Sequence, residues 1–494
     1  MNIKIRDVII VILVLMLILL VRYNFNKKSN ENKITSFNSP IQASFFEVGM
    51  TQYFSEVDWE EEIKEWKEIG IKYIVISNSA YKNEDGWYTY YPSSINDTKM
   101  YYDAIGETLK WCKKAGVKVF VPVGNNPCEA NLCKYDKDCF NKQGKETFLA
   151  SIKETLPFIQ DLYNKYYEEY KDIWYGWYFP PEVSNNIDWE NPEYFTIGVN
   201  TLAESLNMTI AEIRRLNQDF VIMFSPYLNV DESATYCTRN ENVISNYYKE
   251  VINNTNFIEG DILAPQDSAK NMKWNTEKLI KYTKAYRDAV NNANKKIQLW
   301  SNLETFVYDE EYAKNKDLID YGQTTYFSTL LKQIEAEETY VDNFMSCSLC
   351  YYYTKPNSGE GFYNSFRDYF KYGTVDDIPP KLPTKAEASI ITINGKEYLN
   401  ISLSGMSDDY GIARMNVYKN KKMYCYRCST RNGSYIAGNY TGISEPRGFW
   451  DEEFNLKDDK AIYDIELIDC SGNKSNAKFK ITITSKNETL NIEY

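Results

Sequence analysis

The sequence predicts a (β/α)8 barrel, then a small all-β sandwich, with an apolar membrane-anchor segment ahead of both. Three observations carry this. Strand-like apolar runs alternate with helical stretches over most of the chain. The pair "KEIGIKYIVI" and "KKAGVKVFVP" repeats one helix–glycine–strand grammar, as a parallel α/β fold requires. After the Pro-rich stretch Thr374–Glu387 the pattern changes to short alternating strands with Asp, Gly and Asn turns.

The N-terminus has the apolar run Val8–Val21, flanked by Lys4 and Arg6 before it and Arg22, Lys27 and Lys28 after it. The run is shorter than the ~20 residues that usually span a bilayer. Ile3, Ile5 and Tyr23 extend it while the flanking cations snorkel. No small-residue cleavage site follows, so residues 1–23 are expected to be an uncleaved signal-anchor. Residues 24–42 are polar and Asn/Ser/Lys-rich and are expected to be a tether. The expected location is the cell membrane, with the bulk of the chain outside.

The barrel is expected over residues 43–375. Eight strands are predicted at Ala43–Glu47, Tyr73–Ser77, Lys118–Gly124, Tyr175–Phe179, Phe220–Pro226, Asp261–Ala264, Ile297–Asn302 and Ser346–Tyr353. Asp58 with Glu61 gives a helix-start signal, and Trp59, Ile63 and Trp66 follow at helical spacing until Gly70. Further helices are expected over Glu146–Tyr170, Ile197–Asn217 and Thr276–Asn294. No glycine-rich dinucleotide fingerprint is present, which favours the barrel over a doubly wound sheet. Residues 376–386 are expected to be a linker and 387–494 the sandwich.

Composition narrows the chemistry. The chain has 494 residues, no histidine and a formal net charge of −13. Without histidine, Ser-His-Asp and Cys-His sites and His-bound metals are excluded. Acid–base work falls to Asp, Glu, Tyr, Lys or Cys. No basic block marks a nucleic-acid partner, and no cofactor or metal is predicted. The loop holding Cys128, Cys133 and Cys139 is expected to be stiffened by a disulfide, and Cys425 or Cys428 to pair with Cys470. Cys347 and Cys350 are expected to be packing residues on opposite faces of a strand.

Active sites of (β/α)8 barrels lie at the C-terminal strand ends. Those ends supply Glu47 and Gln52, Asn125, Glu182, Tyr227 and Asn229, Gln266 and Asp267, Asn302 and Glu304, and Tyr351. Glu182 and Glu304 follow the fourth and seventh strands, across the mouth from each other. Two facing carboxyls are what glycosidic hydrolysis needs, one as proton donor and one as nucleophile or base. Trp177, Tyr178 and Phe179 are expected to desolvate Glu182 and favour its acid form. Glu47, Gln52, Asn125, Trp177, Tyr227, Asn229, Gln266, Asp267, Asn302 and Tyr351 are expected to bind substrate. The rival expectation is a groove that binds glycan without cleaving it.

The motifs "YGWYFPPEV", "FSPYLN", "DILAPQDS" and "LWSNLETF", in this order, resemble the glycosidase-like barrels of domain-of-unknown-function family 4434 over roughly residues 43–372. More distantly, the two glutamates resemble those of retaining (β/α)8 glycosidases. That likeness implies Glu182 as acid/base and Glu304 as nucleophile on a polysaccharide substrate. The wider group carries Asn before the strand-four acid, where this chain has Pro181, so its hydroxyl contact would fall to Asn229 or Gln266. "DDYGIARMNVYKN" and "YDIELIDCSGNKS" resemble bacterial immunoglobulin-like modules.

Overall fold

A computed structural model of the chain describes residues 40–125, 142–230, 237–307, 323–431 and 443–494, apart from positions 53, 270, 271, 274, 429 and 445. The expected anchor and the Cys128–Cys139 loop lie outside the described residues. Among those described, no helix is long and apolar enough to cross a membrane.

Eight parallel strands close a barrel: β1 (Ile41–Phe46), β2 (Tyr73–Ile76), β3 (Lys118–Pro122), β4 (Trp174–Phe179), β5 (Val221–Phe224), β6 (Ile262–Leu263), β7 (Gln298–Glu304) and β8 (Asn343–Cys347). Each follows its predecessor in the ring, and β8 pairs with β1. Between them run α1 (Glu56–Glu68), α2 (Ala104–Ala115), α3 (Lys142–Tyr170), α4 (Pro192–Leu216), α5 (Glu241–Asn254), α6 (Thr276–Asn292) and α7 (Phe327–Glu337), and α8 (Glu360–Tyr372) follows β8.

Side-chain alternation divides two cores. Ala43, Phe45, Phe120, Tyr178, Met223 and Trp300 fill the barrel interior. The other faces pack outward on the helices, where Trp177 meets Trp174 with ring centroids 5.1 Å apart. Helix α1 starts three residues before the sequence signal. Ser55, not Asp58, is its cap: Ser55 N–H donates to Asp58 Oδ2 at 2.8 Å and Asp58 N–H to Ser55 Oγ at 3.3 Å. Ser-x-x-Asp is itself a reciprocal capping box.

The last strand is shorter than expected. It ends at Cys347, and Leu349–Tyr352 forms a helical turn. The Leu349 N–H donates to Ser346 Oγ at 2.7 Å, and the Ser346 hydroxyl therefore stops the strand.

After α8 two sheets share one apolar core. Lys385–Ile393, Lys396–Ser404 and Gly448–Asp451 form the smaller sheet. Lys422–Cys428, Ile412–Lys419, Asp458–Asp469, Phe479–Lys486 and Thr489–Glu493 form the larger. The first sheet strand begins inside the stretch expected to be linker.

These sheets are seated on the barrel. Helix α7 has no side-chain cap. Its first N–H groups, from Phe327 and Ser328, donate instead to the carbonyls of Cys470 at 3.2 Å and Ser471 at 3.0 Å. An unsatisfied helix terminus is thus closed by the neighbouring module. Tyr410 Oη donates to Asp368 Oδ2 on α8 at 3.1 Å. Gly361 lets α8 approach: a Cβ there would lie 1.8 Å from the Tyr410 carbonyl oxygen and 2.6 Å from Cys470 Sγ.

Helix propensity alone favours Gly361→Ala by about 1 kcal/mol, but the backbone clash outweighs it. We expect Gly361→Ala to destabilise the chain by ~1–3 kcal/mol in urea unfolding. Unchanged or increased stability would mean that the seam is looser than this.

Candidate active site

Alternation places Glu47, Ser77, Ser225, Gln266, Glu304 and Cys347 over the barrel interior, because the strand residues two before them, such as Phe45, Val75, Met223 and Met345, belong to that core. The fourth strand exits through Pro180 and Pro181, both buried, to half-buried Glu182. Tyr227 N–H donates to Val183 O at 3.0 Å, which stitches this exit to the next loop. Asn185 Oδ1 accepts from Asn229 N–H at 2.6 Å, and Asn185 Nδ2 donates to Asn229 O at 2.7 Å. Gln266 Nε2 donates to Glu182 Oε1 at 3.1 Å, orienting that carboxyl from the sixth strand end.

Glu304 is held differently. Its backbone N–H donates to Asp267 Oδ1 at 3.0 Å. Gln333 Nε2, on α7, donates both to Asp267 Oδ2 at 3.0 Å and to the Glu304 carbonyl at 3.2 Å. Ala269 N–H adds a third donor to Asp267 at 3.2 Å. One turn beyond Gln333, Glu337 accepts from Ser301 Oγ at 2.6 Å and Thr283 Oγ1 at 3.0 Å. Burial pushes the Asp267 carboxyl up to about 6, against the pull of its donors. Burial, then the Asp267 charge, pushes Glu337 well above the usual carboxylate range.

Cys347, a thiol in no disulfide, marks where the acids converge. Burial raises its pKa most, and the charges of Glu47, Glu182, Glu304 and Asp267 all raise it further. Tyr178, one layer down, is raised by burial and then by Glu182, Cys347 and Glu47. Glu47 keeps solvent-exposed surface yet is crowded by protein at the mouth. Desolvation raises its carboxyl, a Ser77 hydrogen bond lowers it, and the Glu182 charge raises it again.

The expected residues sort accordingly. Glu47, Glu182, Gln266 and Glu304 come together at the mouth. Asn302 lies one step below Glu304, buried, with Nδ2 donating to Ser225 Oγ at 3.0 Å. Asn125 and Tyr227 are half-buried at their strand ends, and Gln52 is exposed beyond the short helix Val48–Thr51.

Four of the expected residues take other places. Trp177 is fully buried on the outer face of β4 and cannot stack on a sugar at the mouth. Asp267 accepts from the Glu304 and Ala269 N–H groups and from Gln333, and so positions the Glu304 backbone. Tyr351 sits in the buried helical turn against Tyr352. Asn229 braces loops, its Nδ2 donating to Asn186 Oδ1 at 2.6 Å. Sequence reasoning missed Ser77, Gln333 and Glu337. For the last two a signal existed: "LLKQIEAE" carries both polar side chains on the helix face that buries Leu330 and Ile334.

This is a closed (β/α)8 barrel with Glu182 following the C-terminal end of its fourth strand and Glu304 ending its seventh. Residues 41–360 match the family model described as "Domain of unknown function (DUF4434)", and the chain belongs to that family. No curated protein matches its sequence. Among solved structures, a Bacteroides thetaiotaomicron protein assigned provisionally as an alpha-L-fucosidase aligns with TM-score 0.52 and 15% identity, over 69% of this chain and 96% of its own. That is a likeness of fold. An intracellular xylanase from Thermoanaerobacterium saccharolyticum aligns with TM-score 0.36 and 9% identity, over 64% of this chain and 89% of its own. A monomeric beta-xylosidase from Caulobacter crescentus aligns with TM-score 0.38 and 9% identity, over 90% of this chain and 96% of its own. At those scores the last two add nothing to the fold argument.

The Asp267–Glu337 pair has a pH signature. Both carboxyls sit above their ordinary values of 3.8 and 4.5. The folded chain therefore holds protons that the unfolded chain has lost, and this part of stability falls as pH rises from about 4 through 6. Glu337→Gln removes one of these two acids. The pH slope of unfolding free energy should flatten by ~1.4 kcal/mol per pH unit over that window, and an unchanged slope would show that the fold does not hold Glu337 protonated.

Proposed function

We propose that the chain hydrolyses glycosidic bonds of an extracellular or cell-wall polysaccharide, with Glu182 as acid/base and Glu304 as nucleophile of a retaining reaction. One observation carries the reading: Glu182 follows the fourth strand and Glu304 ends the seventh strand of one closed barrel, Glu182 bonded to Gln266 and Glu304 in register with Cys347. Glu182 gives its proton to the glycosidic oxygen while Glu304 attacks the anomeric carbon. Water then releases the sugar, with Glu182 taking its proton. Gln266 fixes the plane of the Glu182 carboxyl. It occupies the place beside the acid that Pro181 cannot serve, and its amide is the donor we assign to a substrate hydroxyl. The apolar run Val8–Val21 and the polar tether after it support an activity held at the cell surface.

On a panel of polysaccharides, Glu182→Gln and Glu304→Gln should each lower turnover by ~10³ with the melting temperature kept. Full rate in both variants would sink the assignment. Asp267→Asn puts an amide N–H against either Glu304 N–H or Gln333. It should lower kcat up to ~100-fold with a smaller change in KM; a change in KM alone would remove its positioning role.

A further inference from the structure

We propose that the barrel mouth selects a glycan carrying a cationic substituent, a de-N-acetylated amino sugar, and that Glu47 is the carboxylate that binds its ammonium group. This rests on the glycosidase reading and names the substrate class of that same site.

Two carboxylates suffice for glycoside hydrolysis. This mouth holds a third. Glu47 follows β1 in the same inward alternation as Ala43 and Phe45, and its charge reaches both Tyr178 and Cys347, as that of Glu182 does. The first three residues after each of the eight strands include no Lys or Arg; the cations of these loops, such as Lys82, Arg239, Lys273 and Lys355, come further along the chain. Strand alternation brings Glu47, Glu182 and Glu304 to one mouth, and the Glu182 charge adds to the desolvation that raises the Glu47 carboxyl. A bound ammonium offsets that charge.

A second, independent feature points the same way. Asn302 Oδ1 is an acceptor without a hydrogen-bond partner, on a side chain only 1% exposed. It lies on the face of β7 that carries Glu304, two residues earlier. A buried acceptor beneath three carboxylates calls for a ligand rich in donors.

The spacing favours an organic cation over a metal ion. Among the described residues, only Asp376, Asp408 and Asp469, at the seam between barrel and sheets, bring three ligand atoms all within 4.8 Å of one another. The oxygens of Glu47, Glu182 and Glu304 are not gathered within that distance of one another. A sugar ring between them can carry its charge to one of them. The chemistry requires such a residue. An ammonium beside the anomeric carbon opposes the positive charge that develops there, and a facing carboxylate relieves that opposition.

The test uses the full chain with oligomers of glucosamine and galactosamine, each in N-acetylated and de-N-acetylated form. Affinity is measured calorimetrically on the Glu182→Gln chain, and cleavage on the unmodified chain. The expected result is at least tenfold preference for the de-N-acetylated members, collapsing toward parity when Glu47→Gln is added. Equal affinity, preference for the acetylated forms, a preference that survives Glu47→Gln, or no binding of any amino-sugar oligomer overturns the inference. Glu304-dependent cleavage of a neutral glycan alone overturns it while leaving the glycosidase reading intact. Tight, Glu47-dependent binding without cleavage sustains it and removes the glycosidase reading. A thermal shift with calcium, magnesium or manganese alone that Glu47→Gln abolishes assigns the ring to a metal and overturns it.

Discussion

The Glu304 N–H donates to Asp267, and Gln333 spans from Asp267 to the Glu304 carbonyl, so the strand-seven carboxylate is held by its backbone. Strand alternation carries the side chain to the mouth side of the barrel. This matters because like charges near one another drift apart unless their main chain is fixed. The clamp carries a cost, since Asp267 is a buried charge. Three N–H donors stabilise it, and the residual penalty appears as a carboxyl raised to about 6. Glu182 is held by other means: a proline-stiffened exit, loop bonds through Asn185 and Asn229, and the Gln266 amide.

The clamp extends to the C-terminal module. Gln333 and Glu337 sit on α7, whose first N–H groups are closed by the Cys470 and Ser471 carbonyls. A contiguous set of hydrogen bonds therefore runs from the sheet module through one helix to the backbone of Glu304. The module's loop supplies the cap that α7 lacks in its own sequence. Gly361 permits the approach, and Tyr410 anchors it on α8. The sheets belong to the structural support of the barrel as much as to any outward role.

Much of this was legible in sequence, and the failures have specific causes. Apolar strand runs, separated by helices ending in Gly or capped by Asn, place seven of the eight barrel strands to within a few residues. Glu182 and Glu304 follow from counting strands. Facing was harder. Trp177 and Tyr178 are neighbours with opposite fates, and a register shift between Val119 and Phe120 in the β3–β4 pairing hides which of them turns inward. Gln266 and Asp267 are likewise adjacent, one over the mouth and one behind Glu304. The aromatic run after Cys347 looks like strand by composition, yet Ser346 turns it into helix. Gln333 and Glu337 went unseen because a helix-face argument asks where apolar residues fall, and these two are polar residues on that face.

The central claim is that Glu182 and Glu304 flank one sugar at the barrel mouth. Its most direct test is a crystal structure of the Glu182→Gln chain with an oligosaccharide cut from the producing cell's own surface polysaccharide. The account predicts the scissile oxygen within hydrogen-bond reach of position 182. It predicts a Glu304 oxygen facing the anomeric carbon, with the two carboxyl positions about 5–5.5 Å apart as retention requires. Oligosaccharide seated only on the C-terminal sheets, or in the mouth with Glu304 turned away from the anomeric carbon, would contradict it.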